Sequence, residues 1–185
     1  MTLDEVLAAI QFWRPNSSWG TAPAAELPVS QLSTVDEARI IDAIRALYAS
    51  TTARPVLIAL ATSGALKFGN RPQGEQYSAF ANVLQDFVGI NWHDVSLSKT
   101  INLNGVVVYL DPVLLIAHEL YHLYSKSSND PTAPVTSSEG GDAAENSLTD
   151  LFGPMETFAN QVSSEIGRSG NSSAGYLGNY PLASG

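Results

Sequence analysis

Hydrophobic residues recur at helical spacing in the first part of the chain. Residues 35–49 carry apolar side chains three or four positions apart, and Ser33 or Thr34 in front of them is a typical N-cap. Another helix is predicted at residues 3–13, and a segment rich in proline, serine and alanine separates the two. The pattern therefore predicts two helices before residue 50.

The middle of the chain combines a further helix with short strands. Pro55 is expected to begin a helix over the apolar run 55–64, although that run alone could also be a buried strand. Short strands are predicted at residues 65–68, 95–97 and 106–110. This mixture predicts an α+β fold in which a small twisted sheet packs on the helix that follows residue 110.

That helix is apolar almost throughout. Asp111 can accept hydrogen bonds from the first-turn N–H groups, and Pro112 suits the first helical position, where its missing N–H is not needed. Residues 113–123, VLLIAHELYHL, are apolar nearly all round, which predicts a buried helix. Polar side chains inside such a helix need partners, because a buried unpaired polar group is costly.

The polar residues of this helix form an HExxH motif. His118 and His122 are four residues apart, so both imidazoles lie on one face of the helix and can bind one Zn²⁺. Glu119 follows the first histidine and lies beside the pair, where it can act as the general base on a water molecule at the metal. The alternative interpretation is that the two histidines are hydrogen-bonded core residues.

Two other candidates for the metal site are weaker. The extended pattern HExxHxxGxxH is excluded, since Ser125 replaces its glycine and Ser128 its third histidine. The remaining histidine, His93, is interpreted as an exposed residue or one at the edge of a strand rather than a ligand. A carboxylate downstream of the motif is then expected to complete a His₂Glu site.

Glu156 is the preferred carboxylate, and Glu145 is the next choice. Residues 154–167 predict an amphipathic helix that opens with Pro154 and closes with Gly167. Glu156 borders its apolar face, whereas Glu165 is expected to face solvent. Other acidic residues after position 130 lie in a Ser/Gly/Asp-rich stretch that predicts a loop or a short helix; they are Glu139, Asp142, Glu145 and Asp150. The competing role for Glu156 is to complement the dipole of its own helix.

Composition limits the remaining possibilities. The absence of cysteine excludes disulfides and thiolate ligands. A net charge of −9 without clusters of lysine and arginine speaks against nucleic acid as a partner. The apolar runs are too short to span a bilayer, and residues 1–13 do not read as a signal peptide. At 185 residues we expect one domain, with its catalytic core at about residues 35–180, and a monomer.

Two family resemblances follow from these motifs. The run from Glu156 to Asn160 resembles the ExxAN element that supplies a glutamate ligand in ImmA-like gluzincins. More of the chain is similar to the NleD-like effector metallopeptidases of bacterial secretion systems and polymorphic toxins, although Ala159 stands where that family carries a glutamate. The similar segments are residues 46–64, 65–70, 106–124 and 160–176.

The resemblance implies a zincin-like fold and a secreted effector or toxin domain that cleaves proteins in a target cell. The implied export uses a route other than a signal peptide, or a larger parent chain. The same family tends to carry an arginine and then a tyrosine near the end, which here are Arg168 and Tyr176. A tyrosine hydroxyl near the zinc could stabilise an oxyanion. Alternatively, Tyr176 packs on the surface.

The sequence therefore predicts a gluzincin-type zinc endopeptidase in which Glu119 is the general base. His118, His122 and Glu156 are the predicted zinc ligands, and a protein or peptide is the substrate. The strand at residues 106–109 could bind an extended substrate by strand addition, or could be an ordinary central strand. Two rival functions remain: a zinc-stabilised, non-catalytic interaction module and a metal-free helical binding domain.

Overall fold

The computed structural model describes residues 1–21, 28–73, 78–102, 104, 106–127 and 154–169. Within these ranges it describes the backbone alone for residues 100, 101, 126, 127 and 154–156. The elements in chain order are α1 (Leu3–Ala8), β1 (Gln11–Phe12), α2 (Thr34–Tyr48), α3 (Ala53–Ser63), β2 (Lys67–Asn70), β3 (Ala79–Asn82), β4 (Phe87–Ile90), α4 (Trp92–Leu97), β5 (Lys99–Ile101), β6 (Val107–Tyr109), α5 (Pro112–Ser127) and α6 (Pro154–Glu165).

Four strands form a mixed sheet in the order β1-β2-β4-β3. Strands β1, β2 and β4 are parallel, and β3 runs antiparallel to β4 at the edge, with Phe80 opposite Gly89. Strands β5 and β6 form a separate antiparallel pair. The part of the chain that the structure describes is thus an α+β arrangement with six helices, as the sequence predicts for the fold class.

The two faces of the four-stranded sheet have different coverings. One face, with Phe68, Val88 and Ile90, joins the main core under the helices. The other face, with Phe80 and Phe87, packs against a small cluster that includes Val29, Trp13 and Trp19. Glycine is required on this second face, since a Cβ at Gly89 would collide with the ring of Phe80 and one at Gly69 with Val29.

Helix α5 lies at the centre of the domain. It contacts α2 and α3, strands β3 and β4, and α6. Its residues Ile116, Leu120 and Leu123 are at most 1% exposed, as predicted for a helix that is apolar nearly all round. None of the described helices has the length and apolar character needed to cross a membrane.

Several predicted elements are confirmed. Ser33 is the N-cap of α2, and its hydroxyl accepts a hydrogen bond from Asp36 N–H at 3.1 Å. Helix α3 begins two residues before Pro55, which therefore lies in the first turn, where its missing N–H costs little. The predicted strands at 65–68 and 106–110 correspond to β2 and β6, and α6 begins at Pro154 as predicted.

The predicted helix at residues 3–13 is too long. Helix α1 ends at Ala8, and residues 11 and 12 form strand β1 instead. The N–H of Gln11 donates to Leu66 O at 2.8 Å and that of Trp13 donates to Phe68 O at 2.9 Å. Sheet pairing with a distant segment therefore replaces the last turns of the helix.

The predicted strand at residues 95–97 is wrong, because these residues lie in helix α4. Asn91 caps this helix by accepting a hydrogen bond from Asp94 N–H at 3.1 Å. The sequence analysis also missed β3 and β4. All four residues of each strand are buried, so neither strand shows the alternation of polar and apolar residues that reveals a half-exposed strand.

Candidate metal centre

Helix α5 begins as the sequence predicts. The Asp111 carboxylate accepts a hydrogen bond from Val113 N–H at 2.9 Å, and Pro112 is the first helical residue. The backbone carbonyl of Asp111 accepts the first helical bond, from Leu115 N–H at 3.0 Å. This start places the HExxH motif in the second and third turns of α5.

The two motif histidines lie side by side on α5. Their Nε2 atoms are 3.1 Å apart, and their rings are inclined by 71° with centroids 4.9 Å apart. His118 is buried at 4% exposure, whereas His122 is partly exposed. Two imidazole nitrogens this close can share a hydrogen bond or can bind one metal ion together.

Glu119 is buried next to the pair, at 6% exposure. Its carboxylate lies on the helix that presents both imidazoles, one residue after His118, as the HExxH pattern requires for a general base.

Helix α6 runs antiparallel to α5. Arg168, after the end of α6, lies beside Asp111 at the start of α5, with Nη1 2.8 Å from Oδ2. Phe158 stacks on Tyr121, inside the motif, with ring centroids 4.4 Å apart and planes inclined by 20°. Asp111 and Tyr121 are ten residues apart in the chain, and so are Phe158 and Arg168. Because the contacts pair these residues in opposite chain order, they define the register of the antiparallel helices.

This register determines which glutamate of α6 lies level with the histidines. Glu156 precedes Phe158 by two residues, so its backbone lies about 3 Å beyond the level of Tyr121, which is the level of Leu123 and one residue past His122. Ala159 and Ser163, one and two turns after Glu156, are buried. The side chain of Glu156 is outside the described part of the structure, as are Glu139, Asp142, Glu145, Asp150 and Tyr176.

Glu165 is exposed, as predicted, yet it makes a contact that the sequence does not indicate. Its carboxylate accepts hydrogen bonds from the Ser50 hydroxyl at 2.6 Å, and from the Thr52 hydroxyl at 2.6 Å and backbone N–H at 3.0 Å. These bonds, that from Ser50 first, hold the pKa of Glu165 well below its ordinary value. Glu165 therefore ties the end of α6 to the start of α3.

His93 does not belong to the histidine pair. It lies in the first turn of α4, exposed to solvent, and not at the edge of a strand. Its position in a helix follows from the Asn91 cap, which the sequence analysis did not include.

Strand β6 forms the edge of the two-stranded sheet that leads into α5. Among the described residues β6 pairs with β5 alone, as the edge-strand interpretation expects. Asn102 N–H donates to Val106 O, and Leu110 N–H donates to Ser98 O. Hydrogen-bonded and non-hydrogen-bonded residue pairs alternate between these two bonds along β5 and β6. Val107 and Tyr109 therefore direct their backbone N–H and C=O groups to the outer edge. Their side chains are 62% and 64% exposed.

The described side chains bring two metal-binding groups together, not three. No cluster of three histidine, aspartate or glutamate side chains suited to a metal occurs among them. The predicted third ligand, Glu156, falls outside that search because its side chain is not described. The position of the His118 and His122 Nε2 atoms is thus the part of the candidate site that the structure defines.

The ion pair between Asp111 and Arg168 is a contact near the candidate site that the sequence did not predict. Gly167, with φ of 74°, ends α6 in the left-handed conformation, and Arg168 N–H then donates to Ser163 O at 2.8 Å. A glycine after an amphipathic helix signals such a turn, and so indicates that Arg168 folds back toward the helix. Its partner could not be deduced from the sequence.

Comparisons with known proteins identify no relative of this chain. No protein-family model matches the chain, and no curated protein or solved structure matches it.

Proposed function

We propose that this chain is a zinc-dependent endopeptidase domain with Glu119 as its general base. The observation that carries the proposal is the 3.1 Å separation of the His118 and His122 Nε2 atoms on a buried helix that also presents Glu119. The HExxH spacing of these three residues on one buried helix supports the proposal.

The geometry of the histidine pair suits zinc. Two nitrogens bound to one tetrahedral zinc at about 2.0–2.1 Å are about 3.3–3.4 Å apart, and the observed separation is within a few tenths of an ångström of this. The proposed third ligand is Glu156, and the register of α6 on α5, with the Glu156 backbone within about one residue of the level of His122, supports this choice. This set of ligands, with the fourth position left to water, is that of the His₂Glu enzymes.

Each residue then has a chemical role. When bound, zinc polarises the scissile carbonyl and lowers the pKa of water. Glu119 accepts the proton of the attacking water and passes it to the leaving amine. Tyr176 is the proposed donor to the oxyanion that forms at the carbonyl.

The proposed substrate is an extended peptide added to β6. The open backbone groups of Val107 and Tyr109 can pair with such a peptide, and their exposed apolar side chains would contact it. Tyr109 lies three residues before the first residue of α5 and nine residues before His118. The resemblance to NleD-like effectors supports a role as a secreted effector or toxin domain that acts on proteins of a target cell.

Metal analysis tests the zinc site. The purified wild type, after zinc-replete expression, is expected to hold one Zn²⁺ per chain by mass spectrometry. His122→Ala should lose that zinc, whereas His93→Ala should retain it, because His93 is exposed on α4 away from the pair. A purified wild type that contains no zinc, and in which His118 and His122 are hydrogen-bonded only to each other, would exclude the proposal.

Proteolysis tests the peptidase against the zinc-stabilised interaction module. A target-cell lysate is incubated with the wild type or with Glu119→Gln, and new protein ends are identified by mass spectrometry. The variant should keep its zinc and lose about 10²–10⁴-fold in activity, because glutamine cannot accept the proton of water. Identical cleavage by both proteins would remove Glu119 as the base, and no cleavage by either would favour the interaction module.

A further inference from the structure

Helix α6 is held at its end by Glu165, which accepts hydrogen bonds from Ser50 and Thr52 before α3. On α5, the described side chains offer two contacts near the ends of the overlap between the helices. These are the Phe158–Tyr121 stack and the Arg168–Asp111 ion pair.

These two contacts differ in how strongly they specify position. The Phe158–Tyr121 stack is apolar, and aromatic rings tolerate sliding in an offset stack. The Arg168–Asp111 pair is a charge-assisted hydrogen bond of 2.8 Å to a carboxylate whose side chain is 2% exposed. A shift of α6 by one turn, about 5.4 Å, would leave this buried carboxylate without its guanidinium.

The surroundings of the ion pair hold both partners in place. The second oxygen of Asp111 accepts the N–H of Val113, so the carboxylate is fixed to the first turn of α5. Arg168 is held by its own backbone bond to Ser163, through the left-handed turn at Gly167. The pair thus connects two defined points, the first turn of α5 and the last turn of α6.

We propose that Arg168 and Asp111 are positioning residues for the metal centre. Their ion pair sets the register of α6 on α5, and thereby the level at which Glu156 meets the histidine pair. This inference rests on the proposed function, in which α6 supplies the third zinc ligand. Neither residue touches the metal, and both lie at the opposite end of the α5–α6 pair from Glu156.

The test measures metal binding in full-length variants of Arg168, which is partly exposed and so can be changed without opening the core. Arg168→Met removes the ion pair, and Arg168→Lys keeps the charge. Glu165→Gln is the matched control, because it weakens a different contact at the same end of α6, that with Ser50 and Thr52. Zinc affinity is measured by competition with a coloured chelator, coordination by the visible spectrum of bound Co²⁺, and stability by the melting temperature of the metal-free protein.

Arg168→Met is expected to weaken zinc binding about 10–100-fold, the range typical of partners outside the first coordination shell. The Co²⁺ spectrum should lose the intensity of a four-coordinate site, and Arg168→Lys should recover part of both effects. Glu165→Gln should leave affinity and spectrum unchanged.

Two results would overturn the inference while the proposed function stands. One is a wild type that binds zinc and an Arg168→Met variant with unchanged affinity and spectrum. The other is an equal loss in Arg168→Met and Glu165→Gln, which would mean that α6 docking in general, not the register, matters. A wild type that binds neither Zn²⁺ nor Co²⁺ would instead overturn the proposed function and this inference with it.

Discussion

Helices α5 and α6 carry the candidate metal centre between them, but the protein holds them in different ways. Helix α5 is enclosed by α2, α3, α6 and the sheet, and most of its residues are buried. Helix α6 packs one side on α5 and ties its end to the start of α3 through Glu165. Its other side is exposed at Thr157, Gln161 and Ser164.

The candidate ligands therefore differ in which part of the fold holds them in place. Folding of the core alone brings His118 and His122 together, since both lie on α5. Glu156 lies on a second helix, which adds Phe158 and Val162 to the same core but has one side exposed. We therefore expect the metal to stabilise α6 more than α5.

The largest expected effect comes from the buried centre of α5. Ile116→Ala, at a fully buried position, should lower the free energy of unfolding by about 2–5 kcal/mol, measured by urea denaturation. Val162→Ala, fully buried on α6, should cost less, because it removes fewer carbons and because we expect α6 to open locally before α5. Equal losses in the two variants would mean that α5 and α6 belong to one cooperative unit.

The next effect concerns the third ligand. Glu156→Ala leaves two protein ligands on the metal. It should therefore weaken zinc binding more than the loss of an outer-shell partner does, which is typically about 10–100-fold. Glu145→Ala, upstream of α6 in the chain, is the matched control and should leave the affinity almost unchanged. The reverse result would transfer the ligand role to Glu145. In a metal-bound structure the Glu156 carboxylate should lie at about 2.0–2.2 Å from the zinc.

Removal of the metal should then distinguish the two helices directly. Zinc at about 100 times its dissociation constant stabilises the folded state by about 2.7 kcal/mol, so a chelator should lower the melting temperature. Amide hydrogen exchange should accelerate in α6 and stay slow in α5, because the histidine helix is held by the core. Acceleration that is equal in both helices would contradict this division.

The smallest effect is the pH dependence of the α6–α3 contact. The pKa of Glu165 is held below its ordinary value of 4.5 by hydrogen bonds from Ser50 and Thr52, so its contribution to stability is present above about pH 4.5. That contribution should decline as the pH falls toward the lowered pKa of the folded state. The stability difference between the wild type and Glu165→Gln, measured by denaturation, should shrink with acid. A difference that is constant between pH 7 and pH 3 would show that the carboxylate contributes nothing through its charge.

The sequence predicted the local parts of the site well and the strands poorly. Capping by Ser33 and Asp111 and the left-handed turn at Gly167 each depend on a few neighbouring residues, and all are present. Strands β3 and β4 escaped detection because they are short and buried on both faces. Residues 95–97 form the end of a helix and not the predicted strand, because Asn91 caps α4.

The sequence by itself determined the buried helix α5 and the convergence of His118 with His122, because residues four apart on a helix lie side by side whatever surrounds them. Only the tertiary structure decided the strand order, the pairing of β6 with β5 and the register of α6 on α5. The Arg168–Asp111 bond joins residues 57 positions apart, and the Glu165–Ser50 bond joins residues 115 apart. Contacts between residues so distant in the chain leave no periodic signal in it, since they depend on how whole elements pack.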